Sequence, residues 1–209
     1  MPLTQSPRVA LIDLGNVIVG FDHHRGALQI AALEGVNKHP DEIFKFLVGG
    51  PDCEGVNKSY ELGHISTDEL WDQSRRALEL QCAREDFERG WSDIFWPIHE
   101  TMEFLNQLSE KCPLYLCSNT NPLHWHHVMN LVPGVEKLFE KLFLSYEMNL
   151  LKPDEAYFHH IVENLKVKPE ECLFLDDMEP NIRAAERVGI NAIQFTSVDH
   201  VRKSLNLRA

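Results

Sequence analysis

Val9-Ala10-Leu11-Ile12-Asp13-Leu14-Gly15-Asn16 is the stretch that decides the fold. Four consecutive apolar residues read as a buried strand, and the strand ends on a carboxylate. Gly15 lets the chain turn where a side chain would crowd a ligand. Three later stretches place polar residues in a similar way. Leu114-Tyr115-Leu116-Cys117 leads into Ser118-Asn119-Thr120, Lys152-Pro153 precedes a helical pattern, and Cys172-Leu173-Phe174-Leu175 leads into Asp176-Asp177. In a parallel sheet these groups converge, because open α/β sheets bind ligands beyond the carboxyl ends of their strands.

Outward from that centre, the C-terminal half alternates helix and strand. Helices are predicted over 99–110, from Pro122, from Pro153 to about Leu165 and over 179–188, the last closed by Gly189. Strands are predicted over 113–118, near 142–146, over 172–176 and over 191–195, followed by a short final helix. This alternation implies an α/β, three-layer, Rossmann-like parallel sheet with helices on both faces. Pro122 and Pro153 sit where a first helical turn should begin, and Gly189 where one should end. Helix starts then fall just after the polar groups, so backbone N–H groups point into the cleft as anion binding requires.

Residues 22–96 behave differently, with helix-like apolar spacing and no convincing strand. Ser66-Thr67-Asp68-Glu69 has the capping-box pattern ahead of Leu70, Trp71, Ala77 and Leu78, while Gly49-Gly50-Pro51 and Gly55 read as turns. The expected organisation is a core of residues 1–19 and 97–209 with an inserted helical cap, residues 20–96.

A chain of 209 residues is long enough for such a core plus a small insert. Its net charge of -12, from 20 basic and 32 acidic residues without a Lys/Arg-rich run, excludes nucleic acid and anionic membrane as expected partners. The cysteines Cys53, Cys82, Cys112, Cys117 and Cys172 form no C-x-x-C pair, which reads as reduced thiols in a cytoplasmic protein. No stretch has the length of a transmembrane helix, and Met1-Pro2-Leu3-Thr4-Gln5-Ser6-Pro7-Arg8 lacks the apolar region of a signal peptide.

The order and content of these four polar groups resemble those of the haloacid dehalogenase-like hydrolase superfamily. The resemblance implies hydrolysis of a phosphate ester through an aspartyl-phosphate intermediate, with Asp13 as nucleophile. It implies Mg²⁺ held by the carboxylate of Asp13, the backbone carbonyl of Gly15 and the carboxylate of Asp177, with Asp176 partly behind them. Ser118, Asn119 and Lys152 would bind the phosphate, and Lys152 would also keep Asp13 ionised. Relatives with an Asp-Leu-Gly-Asn motif resemble sugar-phosphate phosphatases, so the expected partner is a small phosphorylated metabolite selected by the cap. Monomer and dimer both stay open.

Physical chemistry supports the same roles. Phosphoryl transfer needs a nucleophile and positive charge around the equatorial oxygens, and a carboxylate nucleophile splits hydrolysis into two easier steps. The adjacent Asp176 and Asp177 repel each other unless a cation or proton intervenes, and a hard, oxygen-liganded ion resolves that. Taken singly, each residue has a plainer reading: Asp13 as a turn cap, Asp176-Asp177 as a helix N-cap pair, Lys152 as a surface lysine, Ser118-Asn119 as a turn. Asn16 and Asn181 either orient an acidic neighbour or satisfy a turn. His124 and His127 read as a solvated helix face rather than a zinc site.

One position departs from the family pattern. Its phosphatases typically carry a second Asp two residues after the nucleophile, which protonates the leaving group; here Gly15 stands there. A backbone carbonyl preserves the metal contact but not the proton transfer, a role worth roughly 10²–10⁴-fold. Asp22, His23 and His24 are the candidate substitutes. The rival expectation is a non-catalytic phosphate- or metabolite-binding protein that keeps the fold.

Overall fold

In the computed structural model residues 7–206 are described. Met1 to Ser6, most of the stretch read above for a signal peptide, and residues 207–209 lie outside them. Along the chain the elements are β1 (Val9–Ile12), β2 (Val19–Phe21), α1 (His23–Ala31), α2 (Pro40–Leu47), β3 (Gly49–Gly50), β4 (Cys53–Glu54), α3 (Val56–Glu61), α4 (Thr67–Ala77), α5 (Arg84–Ser92), β5 (Phe95–Pro97), α6 (His99–Ser109), β6 (Leu114–Ser118), α7 (Pro122–Leu131), β7 (Lys141–Leu144), α8 (Ser145–Met148), α9 (Glu155–Leu165), β8 (Cys172–Asp176), α10 (Glu179–Val188), β9 (Asn191–Gln194) and α11 (Val198–Ser204).

Five strands make one parallel sheet in the order β7-β6-β1-β8-β9. The first strand lies at its centre, with Ile12 opposite Leu116 on one side and Leu175 on the other. Its side chains alternate between two cores. Ala10 and Ile12 join Phe104, Leu105, Val128 and Val201 on the α6/α7/α11 face, while Val9 and Leu11 join Phe158, Ile161, Ile182 and Ala185 on the α9/α10 face. Burial on both faces explains why β1 reads as an unbroken apolar run, and each buried Val, Leu, Ile or Phe side chain stabilises the fold by about 1.5–3 kcal/mol. The expected three-layer α/β architecture is present.

A third core, including Ala27, Ile30, Ile43, Leu47, Tyr60, Leu70, Phe87 and Trp91, is built from the helices between β2 and β5. This region contains strands that the periodicity did not reveal. β2 pairs antiparallel with β5, with Phe21 opposite Phe95, and β3 pairs with β4 around a turn at Pro51 and Asp52, so the glycines expected in that turn lie in β3 instead. Two or three residues are too few for alternation to show. The β2/β5 ribbon is where the chain leaves the sheet and returns to it.

Ser66 and Glu69 form the expected capping box, and Gly189 closes α10 at φ 94°. Two boundaries differ from expectation. The helix after Lys152-Pro153 begins at Glu155, because the Asp154 side chain accepts the Ala156 N–H and makes Asp154 the cap; the Lys152–Pro153 peptide is cis. The strand predicted near 142–146 ends at Leu144, and Ser145–Met148 turn into a single helical turn. All five cysteines are thiols. Among the described residues, no helix is long and apolar enough to cross a membrane.

Candidate active site

The sheet delivers Asp13, Ser118 and Asp176-Asp177 to one edge because β1, β6 and β8 are parallel neighbours. The Asp13 N–H donates to the Leu175 carbonyl at 2.9 Å, tying the residue after β1 to the adjacent strand. Lys152 enters from the loop before α9. Its ammonium donates to Asp13 Oδ1 at 2.6 Å, to Asp176 Oδ2 at 2.6 Å and to the Cys117 carbonyl at 2.8 Å. All three donors of a buried lysine are thereby used.

Asn119 holds that loop in place. Its Nδ2 donates to the Lys152 carbonyl at 2.8 Å, and its Oδ1 accepts the Lys152 N–H at 2.9 Å. Asp176 is fully buried and saturated: it accepts from the Met178 N–H, from Asn181 Nδ2 and from Lys152. Asp177 is less buried, and its Oδ2 accepts from Asn16 Nδ2 at 2.9 Å. Both asparagines therefore orient acidic neighbours.

Burial pushes the Asp13 carboxyl up to about 7 against the opposing pull of Lys152. Burial alone would lower the Lys152 ammonium, but the two carboxylates together push it above its ordinary value, so it stays charged. Burial likewise raises Asp177, with Asn16 opposing. One oxygen from each of Asp13, Asp176 and Asp177 can be chosen so that all lie within 4.8 Å of one another. Three carboxylates at that spacing suit a hard divalent cation such as Mg²⁺.

Asp13, Gly15, Ser118, Asn119, Lys152 and Asp177 line one cleft of about 230 Å³; Asp176 lies beneath it. Several readings of individual residues change. Gly15 is not the residue with left-handed backbone; Asn16 is, at φ 52°. A Cβ at residue 15 would meet Phe21 Cε1 at 2.8 Å, so any side chain there has to displace that ring. His124 is buried rather than solvated: Nδ1 contacts Asn121 Nδ2 at 3.0 Å and Nε2 lies 3.2 Å from the Trp91 carbonyl.

Among the candidate proton donors, exposed Asp22 caps α1 by accepting the His24 N–H, and the His24 ring stacks on Phe44. Neither lines the cleft. His23 does, packed against Phe21 and Trp91, and burial pushes its imidazole down to about 4. The same cause takes His124 to about 3.

Glu61 carries no signal in the sequence. It ends α3, lines the same cleft and has its carboxyl pushed up to about 7 by burial, with the hydrogen bond from Asn57 opposing. No motif surrounds it, and only tertiary packing brings it to the site.

The family model for haloacid dehalogenase-like hydrolases matches residues 7–189. The chain belongs to this family. Among HAD-like relatives, a D-ribitol-5-phosphate phosphatase from Bacteroides thetaiotaomicron is 26% identical over 190 residues, covering 88% of this chain and 89% of the relative. The drimenol cyclase drtB of Aspergillus calidoustus is 31% identical over 95% of this chain, which spans only 36% of that protein. A HAD family enzyme of Bacteroides thetaiotaomicron, crystallised with magnesium and inorganic phosphate, superposes with a TM-score of 0.80 at 29% identity, over 90% of this chain and 94% of that one.

Proposed function

We propose that this HAD-like hydrolase is a Mg²⁺-dependent phosphatase acting on a small phosphorylated metabolite through an aspartyl-phosphate intermediate. The observation that carries the reading is the buried Lys152 ammonium held between Asp13 and Asp176, with Asp177 beside them in a single small cleft. A lysine with every donor committed opposes the upward push of burial on the Asp13 carboxyl and aims it, while its free oxygen attacks phosphorus in the ionised form. The neighbouring phosphatase and the magnesium–phosphate complex of a similar enzyme support the same chemistry.

In this reading Asp13, the Gly15 carbonyl and Asp177 hold Mg²⁺, which neutralises charge on the transferring phosphoryl group. Ser118 offers its hydroxyl to a phosphate oxygen. Asn119 serves the phosphate indirectly, by fixing the Lys152 loop, and Asp176 anchors the ammonium from below. Residues 20–96 act as a cap over a core of 1–19 and 97–209. A cleft smaller than the roughly 300–1,000 Å³ of usual ligand pockets favours a compact substrate, and sugar or polyol phosphates are the first class to test. The five thiols suit a reducing compartment such as the cytoplasm.

The test is Mg²⁺-dependent phosphate release from an aryl phosphate and from a panel of sugar and polyol phosphates, wild type against Asp13→Asn. Turnover in wild type and none in the variant supports the reading. Phosphate binding without turnover in either would assign the chain to the non-catalytic alternative.

A further inference from the structure

We infer that Glu61 of α3 delivers the proton to the leaving-group oxygen and so fills the role left open at Gly15; this rests on the phosphatase reading above. The ionisable side chains lining the cleft are Asp13, Lys152, Asp177, His23, His124 and Glu61. The first three are committed to nucleophile, lysine anchor and metal. His124 has both ring nitrogens engaged, by Asn121 and by the Trp91 carbonyl. His23 is neutral at physiological pH, because burial drives its imidazole down to about 4, and a neutral ring has no imidazolium proton to give.

Glu61 has what the others lack. Its Oε1 accepts from Asn57 Nδ2 at 2.8 Å, and its Oε2 has no hydrogen-bond partner among the described residues. Asn57 Oδ1 in turn accepts from Asn121 Nδ2 at 3.0 Å, and Asn121 Oδ1 caps α7 by accepting the His124 N–H at 2.9 Å. This chain fixes the carboxyl of a helix outside the sheet to the start of the helix that follows Ser118-Asn119-Thr120. Glu61 and Asp13 line the same cleft of about 230 Å³. Burial raises the Glu61 carboxyl to about 7, and only Asn57 opposes it; no charged group on α2, α4 or α8, which pack against α3, contributes. Glu61 is therefore protonated in a substantial fraction of molecules near neutrality, as a general acid must be.

The step balances simply. Asp13 Oδ forms a bond to phosphorus, the bond from phosphorus to the ester oxygen breaks, and its electron pair stays on that oxygen, which takes the proton of Glu61 and leaves as the alcohol. The Glu61 carboxylate then accepts a proton from the water that attacks the phosphorus of the aspartyl-phosphate. Inorganic phosphate departs, and Asp13 and protonated Glu61 are restored.

The experiment compares 4-nitrophenyl phosphate, whose leaving group departs without a proton, with glycerol phosphate, whose leaving group needs one. In Glu61→Gln, which keeps an acceptor for Asn57, kcat on glycerol phosphate should fall by about 10²-fold or more while kcat on the aryl ester changes by no more than a few-fold. The wild-type rate on glycerol phosphate should fall as pH rises through about 7, and the variant should lose that limb. A series of esters of graded leaving-group acidity, run on wild type alone, makes the same test if the variant does not fold: dependence on leaving group should be shallow below pH 7 and steep above it. Equal losses on both esters, an unchanged rate on glycerol phosphate, or a leaving-group dependence indifferent to pH would overturn the assignment. Absence of turnover on either ester by wild type would instead overturn the phosphatase reading itself, and the inference with it.

Discussion

Phe21 Cε1 lies 2.8 Å from the position that a Cβ on residue 15 would occupy. The ring thus stands against the place of the family's usual second Asp, and it is braced by Phe95 and His23, whose ring centroids lie 6.1 Å and 5.1 Å from its own. Gly15→Asp must displace that ring. The variant should lose about 1–3 kcal/mol of stability, the usual cost of overpacking, without gaining activity on alkyl phosphates. Adding Phe21→Ala should recover part of the loss. Denaturant titrations of the single and double variants check this, and a fully stable Gly15→Asp would show that the ring moves freely.

Lys152 is the sole side-chain cation bonded to Asp13 and Asp176 among the described residues. Lys152→Met removes it and leaves two carboxylates in a buried site. Breaking a buried pair in this way typically costs about 3–5 kcal/mol, because an uncompensated charge remains. The loss in urea-unfolding free energy should shrink as pH falls and Asp13 is protonated. A loss below about 1 kcal/mol at pH 8 would mean that one carboxylate already holds a proton there.

How much of this was legible in the sequence varies with the length scale of the signal. The strand at Val9–Ile12, its neighbours at Leu114 and Cys172, and the capped ends at Ser66 and Gly189 each follow from residues adjacent in the chain. The convergence of Asp13, Ser118, Lys152 and Asp177 follows once the sheet is parallel. The β2/β5 ribbon left no trace, because three residues do not establish a period. The crowding of a side chain at 15 was legible but its cause was not, since the obstructing ring belongs to Phe21. Glu61 and the Asn57–Asn121 link were not legible at all: their meaning lies in a contact between residues 64 positions apart.

Of the three clustered carboxylates Asp13, Asp176 and Asp177, Asp177 is the one that accepts from a neutral amide, Asn16, and not from the lysine. Mg²⁺ should therefore raise the thermal midpoint of wild type by mass action, and Asp177→Asn should reduce that rise. Thermal melts across a Mg²⁺ titration give the comparison directly. An identical response in both proteins would place the cation elsewhere.

Two half-buried titratable groups, His23 and Glu61, set opposite slopes of stability against pH. His23 is driven by burial from 6.5 down to about 4, so above pH 6.5 it is neutral in both the folded and unfolded chain. As pH falls below 6.5 the unfolded chain takes up the proton first, and stability declines until about pH 4, by at most about 1.4 kcal/mol per pH unit for one group. Glu61 runs the other way. Its folded value of about 7 lies above its ordinary 4.5, so the folded chain holds the proton more tightly, and stability is lost as pH rises from 4.5 through about 7. His23→Phe, which retains a ring beside Trp91, should gain stability relative to wild type as pH falls from 6.5 to 4. Glu61→Gln should gain relative to wild type as pH rises from 5 to 8. Unfolding free energies measured at pH 4, 5, 6.5 and 8 separate the two, and a Glu61→Gln difference that stays constant across that range would show that this carboxyl titrates in the folded chain at its ordinary value and is ionised near neutrality, removing the protonated acid on which the leaving-group assignment depends.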